Sequence, residues 1–185
     1  MKRIFKTMLL ALVLIGGGMS VTSCDEETIS QILGLLLGGT TYTYSGTATL
    51  ECFGPGENGG FREIVKGTAS LQPSITSASD NTCTLVIPAF KLGDVTVNQM
   101  SFGGLVLTAN SASTENIISI SEQNGYSVDG TMIYDGVEHQ ISGLFIKEGS
   151  KASTKSTSFM ISVYFDEAGD YAVNVTFSGE SITNQ

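Results

Sequence analysis

Few residues in this 185-residue sequence have side chains suited to catalysis, and they are widely spaced. The one histidine is His139, in Val137-Glu138-His139-Gln140. Zinc needs three or four converging ligands, and no second His or Cys stands at ligand spacing from it. His139 is therefore read as a strand residue. A ligand affinity that fell as it protonated would give it a binding role instead. Asp166-Glu167 and Asp170 flank one turn and have the charge to collect a cation. They lack the spacing of a calcium-binding loop, so a solvated hairpin is expected there. Gly-x-Ser-x-Gly does not occur, so no nucleophile elbow is present. The many Ser and Thr residues alternate onto one strand face, where they serve strand propensity. The expectation is a protein that is not an enzyme and uses no metal or cofactor. The aromatic residues carry a different chemistry. Tyr42, Tyr44, Phe102, Tyr126, Tyr134 and Phe159 are the candidates to line an interior that takes a small apolar ligand, with Phe90, Phe145, Phe165, Tyr171 and Phe177 extending the set. Tyrosine suits such a wall because it joins an apolar ring to a polar tip. The plain alternative is an ordinary packed core.

Charge narrows the choice of partners. The chain has 9 basic and 18 acidic residues, a net charge of −9. Three of the basic residues, Lys2, Arg3 and Lys6, precede an apolar run, Met8–Ile15. A basic start, a short apolar stretch and small residues before a break read as a secretory leader. The apolar run is too short to span a bilayer as a helix. Once the leader is removed, 6 basic residues face 18 acidic ones, a net of −12. Such a surface repels phosphate backbones, so nucleic acid is excluded as a partner. The leader ends in Val21-Thr22-Ser23-Cys24, which resembles a bacterial lipobox with Val in place of the usual Leu. Residues 1–23 are thus read as a lipoprotein signal peptide and Cys24 as the lipid-attachment site. Asp25-Glu26-Glu27 follows, similar to the surface-export signals of Bacteroides-type lipoproteins. These features imply a cell-envelope protein tied to a membrane through Cys24, with the outer membrane and the cell surface as its expected address.

The elements that would position the aromatic residues are strands. Residues 24–41 are read as the lipidated cysteine, an acidic linker and a short helix. Over 28–39, Thr28-x-x-Gln31 fits a capping box and Ile29, Ile32, Leu33 and Leu36 fall at helical spacing. From Thr41 the period switches to two, with Tyr42, Tyr44, Gly46, Ala48, Leu50 and Cys52 on one face. Further strands are expected at 62–71, 82–88, 95–108 with an interruption, 115–121, 126–134, 137–147, 156–165 and 170–178. Asp135-Gly136 between two of them is a tight-hairpin signal. Pro88 implies an edge, bulge or turn. The pentads Gly46–Leu50, Gly67–Leu71 and Gly130–Tyr134 repeat a glycine at the same strand phase. Glycines at matched points bend strands, which suits a strongly curved or closed sheet. The expected fold over 42–185 is an all-β antiparallel meander barrel of roughly eight to ten strands, without exposed edges. Cys52 then falls at the end of the first strand and Cys83 near the start of the third, which in an up-down-up meander are opposite ends of the barrel. A ten-residue strand spans roughly 30 Å, whereas bridged Cα atoms lie within about 7 Å. Two small buried hydrophobes are expected, and no disulfide.

The chain resembles the calycin-like (lipocalin-like) domain of Bacteroides-type lipoproteins. The resemblance rests on Tyr44–Leu50 as first strand, on Cys83–Gly93, on Val95-Thr96-Val97 leading to Phe102–Thr108, and on Val128–Thr131. It covers about residues 42–180. It implies a lipocalin-like antiparallel barrel on a lipid-anchored protein. Lipocalins usually carry Gly-x-Trp on the first strand, and this chain has no tryptophan. Ligand binding therefore enters by analogy of fold, which does not fix function. Two expectations follow. In one, the barrel binds a small apolar ligand, helped by the small inward residues Gly46, Ala48, Gly67 and Ala69. In the other, a filled barrel is an anchored interaction module. It then meets a protein or glycan through loops such as Gly54–Gly60 and the Ser-rich stretch 150–158.

Overall fold

The computed structural model describes residues 39–78, 81–109, 118–122 and 125–183. The leader, Cys24, the acidic run and the expected helix (but for Gly39) lie outside the described residues.

Alternation of apolar and hydroxyl-bearing residues makes the first strand. In β1 (Thr41–Pro55), Tyr42, Tyr44, Ala48, Leu50 and Cys52 are buried, while Thr41, Ser45 and Thr47 face water. One wet face and one dry face are what a half-buried antiparallel strand requires. The other strands are β2 (Phe61–Leu71), β3 (Ser74–Ser77), β4 (Thr82–Ile87), β5 (Phe90–Leu92), β6 (Val95–Val97) and β7 (Met100–Ala109). They continue with β8 (Ile118–Ser121), β9 (Ser127–Asp129), β10 (Thr131–Tyr134) and β11 (Val137–Ile146). Last come β12 (Lys151–Ala152), β13 (Ser156–Phe165) and β14 (Tyr171–Ser181).

All of these pair antiparallel in a single 14-stranded sheet that curls strongly into a barrel-like shape. The first and last strands are neighbours, with Tyr44 opposite Ser181 and Phe53 opposite Ala172. From β12 the ladders run through β8, β7, β4, β3, β1, β14 and β13, and β13 pairs back onto β12. At the other end, β11, β10, β6 and β5 carry the sheet onward. One apolar cluster fills the concave side, with Tyr44, Leu50, Phe102, Phe165 and Phe177 among its fully buried members.

Breaks in the strands have local causes. Pro73 separates β2 from β3, and its carbonyl accepts the Tyr44 N–H. Pro88 separates β4 from β5, as proline cannot donate to a ladder. The 95–108 stretch splits at Asn98-Gln99. Gly130, at φ 141°, parts β9 from β10. Between β10 and β11, Asp135 (φ 50°) and Gly136 (φ 75°) form the expected two-residue turn with both residues left-handed. Sheet curvature shows most sharply at Gly46 and Gly179, which face each other across β1 and β14. A Cβ built on Gly46 would lie 2.5 Å from the Gly179 Cα, and one on Gly179 would lie 2.6 Å from the Ser45 carbonyl oxygen. Only a residue without a side chain permits that approach.

Candidate functional site

The solitary histidine is a strand residue, as expected, and a buried one. β11 carries His139 inward, opposite Met132 of β10, and it is buried. The hairpin turn fixes that register, so a slip of one residue would turn His139 to solvent. Twenty-seven residues away, Asp166 directly follows β13 in a left-handed conformation, φ 62°. Its backbone N–H donates to the Gln140 carbonyl at 2.8 Å, which locks the turn against β11. Its carboxylate Oδ2 then lies 2.7 Å from His139 Nδ1. Tyr171, the first residue of β14, packs against the imidazole with ring centroids 4.0 Å apart and the planes tilted by 36°, and Tyr134 lies 6.3 Å from Tyr171. Tyr171 also lies against Gly54, where a Cβ would come 3.1 Å from its ring.

Electrostatics decides the tautomer. A carboxylate only accepts, so Nδ1 carries a proton and donates it to Asp166. The other ring nitrogen, Nε2, is fully buried and has no hydrogen-bond partner among the described residues. A buried imidazolium would leave a charged N–H unpaired, which is far more costly than a bare lone pair. The arrangement is thus an imidazole oriented by a carboxylate through Nδ1, with Nε2 left unpaired inside the molecule. No Ser, Thr or Cys side chain lies within hydrogen-bond reach of Nε2 among the described residues. The described residues also bring together no three metal-ligating side chains. The Asp166-Glu167 turn, expected to be a plain solvated hairpin, contributes one carboxylate to this cluster.

The aromatic candidates are placed elsewhere and apart. Tyr42, Tyr44, Phe102 and Phe159 are buried in the central cluster. Tyr44 donates its hydroxyl to the Ser153 carbonyl at 2.7 Å, joining β1 to the turn before β13, and burial pushes its phenol well above the usual tyrosine range. Burial also raises Tyr42. Phe159 stacks on Phe177 at 5.2 Å. Tyr126 is half-buried, and its hydroxyl accepts the Leu144 N–H at 3.3 Å. Beside it, Glu122 Oε2 accepts the Ile146 N–H at 3.0 Å. These two side chains supply acceptors to the part of β11 beyond its pairing with β10. Only Tyr134, of the six, joins the histidine cluster. Phe145 faces solvent rather than the interior, because its neighbours Leu144 and Ile146 take the inward positions on β11. The small-residue surface is partly occupied as well, since the Leu92 side chain sits over Gly67.

Cys52 and Cys83 are free and buried, at opposite ends of β1: Cys52 pairs with Val173, and Cys83 lies opposite Ser77, beside the start of the strand. Burial pushes their thiols up to about 11 and about 12.

The histidine cluster escaped the sequence because its partners are remote. The visible signal was the Asp135-Gly136 turn, whose register implies that His139 shares a face with Met132. Nothing local announces that Asp166 returns to it. Compared with known protein families, curated proteins and solved structures, the chain matches none.

Proposed function

We propose that this chain is a cell-envelope lipoprotein, anchored through Cys24, whose calycin-like barrel binds a small and mostly apolar ligand. The leader and the Val21–Cys24 tetrad support the anchor, and the acidic run behind Cys24 supports an outer-membrane, surface-facing address. The observation that carries the binding reading is the orphaned Nε2 of His139, whose ring packs against Tyr171, which in turn meets Tyr134. Buried polar atoms are nearly always partnered, so an unfilled acceptor in an aromatic setting marks a place for a ligand's polar end. Native mass spectrometry of residues 25–185, prepared from the source organism and from a foreign host, tests this. A reproducible mass excess that denaturation removes is expected. A bare protein from both sources would overturn the binding reading.

A second reading has its own support. Tyr42, Tyr44, Phe102 and Phe159 are tightly buried, as a filled core demands. Phe61, at the root of the Gly54–Gly60 loop, is 54% exposed. An anchored module that meets a protein or glycan through that loop would have these features. Phe61→Ser would then abolish partner capture, while leaving any co-purifying small molecule in place.

A further inference from the structure

We propose that the ligand meets His139 through a hydroxyl: an uncharged donor, a phenol or an alcohol, that hydrogen-bonds to Nε2. This rests on the ligand-binding reading above and adds the chemical class of the group that is recognised. The argument is one of donor and acceptor inventory. Asp166 takes the Nδ1 proton at 2.7 Å, and the backbone bond from the Asp166 N–H to the Gln140 carbonyl keeps that carboxylate in place. With Nδ1 as the donor, the uncharged tautomer offers a lone pair at Nε2 and no proton. A ligand carboxylate or carbonyl would present lone pair to lone pair. A buried ammonium would need a counter-charge, and the Asp166 carboxylate is already engaged by Nδ1. A hydroxyl supplies the missing donor without charge.

Geometry sets the direction of approach. The Nε2 lone pair lies in the plane of the imidazole, and the tilted Tyr171 ring packs against the imidazole with centroids 4.0 Å apart. The hydroxyl must come in along the edge of the ring. Tyr134 and Tyr171 then offer their apolar surfaces to the carbon skeleton that carries it, which favours a flat or aromatic body.

Three probes with one ring system separate the possibilities: 2-naphthol, 2-methylnaphthalene and 2-naphthoate. They are titrated into the chain from Asp25 onward, which contains every described residue. The His139 ring nitrogens are followed by 15N resonance in the same samples. The expected result is that 2-naphthol binds about tenfold more tightly than 2-methylnaphthalene, the worth of one buried hydrogen bond, and that only 2-naphthol shifts the Nε2 resonance. His139→Phe should abolish the preference and leave the affinity for 2-methylnaphthalene in place. Equal binding of those two probes with an unmoved Nε2 would overturn the hydroxyl assignment and leave ligand binding standing. A preference for 2-naphthoate would overturn it too, because an acceptor ligand requires a proton on Nε2. Binding of none of the three would overturn both the assignment and the reading beneath it. Because the resonance is measured on the unaltered chain, the test holds even if His139→Phe does not fold.

Discussion

A few side chains, or their absence, hold this sheet in its curved form. Gly46 and Gly179 sit where two strands approach too closely for a methyl group. Gly46→Ala should cost about 2–3 kcal/mol, the usual penalty for overpacking against an unyielding neighbour. Gly143→Ala would meet Tyr164 at an ordinary 3.8 Å, so it should stay within about 0.5 kcal/mol of the parent. Urea unfolding of both variants checks the contrast. Tyr44→Phe removes the donor to the Ser153 carbonyl and leaves that oxygen buried, which should cost about 1–3 kcal/mol on the same assay. The thiols add a pH dependence with a definite sign. Folding raises Cys52 from about 9 to about 11 and Cys83 from about 9 to about 12. Below the ordinary thiol value both states hold the proton, and the stability is full. Above it the unfolded chain releases protons that the folded chain keeps, so stability falls as pH rises from 9 towards 11. The slope approaches about 1.4 kcal/mol per pH unit for each thiol. A Cys52→Ala, Cys83→Ala chain should lose most of that slope between pH 9 and 10. A parent chain whose stability is flat over that interval would contradict the burial of both thiols.

Among the elements, the β10–β11 hairpin was the most legible in the sequence, and for a physical reason. Two consecutive left-handed residues are nearly the preserve of Asn, Asp and Gly, so Asp135-Gly136 announces its own geometry. Gly136→Ala should therefore cost about 1 kcal/mol, while Asp135→Asn should leave stability within about 0.5 kcal/mol; thermal unfolding distinguishes them. The long strands were legible for a related reason, since period-two alternation records which face is dry. β3, β5 and β12 were not, because two to four residues are too few to show a period. Their existence depends on strands that come from elsewhere: β12 is held between β8 and β13. The candidate site was harder to read than the fold. An aromatic residue on an inward face reads the same whether it lines a pocket or fills a core, and four of the six candidates fill the core. The His139–Asp166 contact depends on a turn closing across 27 residues, and no spacing rule encodes that.

At the scale of the molecule, the sheet depends on its first and last strands meeting. β14 is flanked by β1 and β13 over nearly its whole length. A chain truncated before Tyr171 should expose both of those edges, lose cooperative unfolding and aggregate on size-exclusion chromatography. The same meeting of strands continues past the ladder, where the Ile182 N–H donates to the Thr43 carbonyl at 2.8 Å and the Thr43 N–H donates to Thr183 Oγ1 at 2.7 Å. The described chain therefore starts and finishes side by side, whereas Tyr171, Gly54 and His139 occupy the far end of β1. A short linker from 183 to 40 would make the order of the strands circular, and new termini could be opened at the exposed glycines Gly59-Gly60. In such a permutant, a fusion partner or a surface linkage moves from one pole of the sheet to the other while the ladders stay as they are. The direction the histidine pole faces, outward from a support or down onto it, then becomes a matter of where the chain is cut.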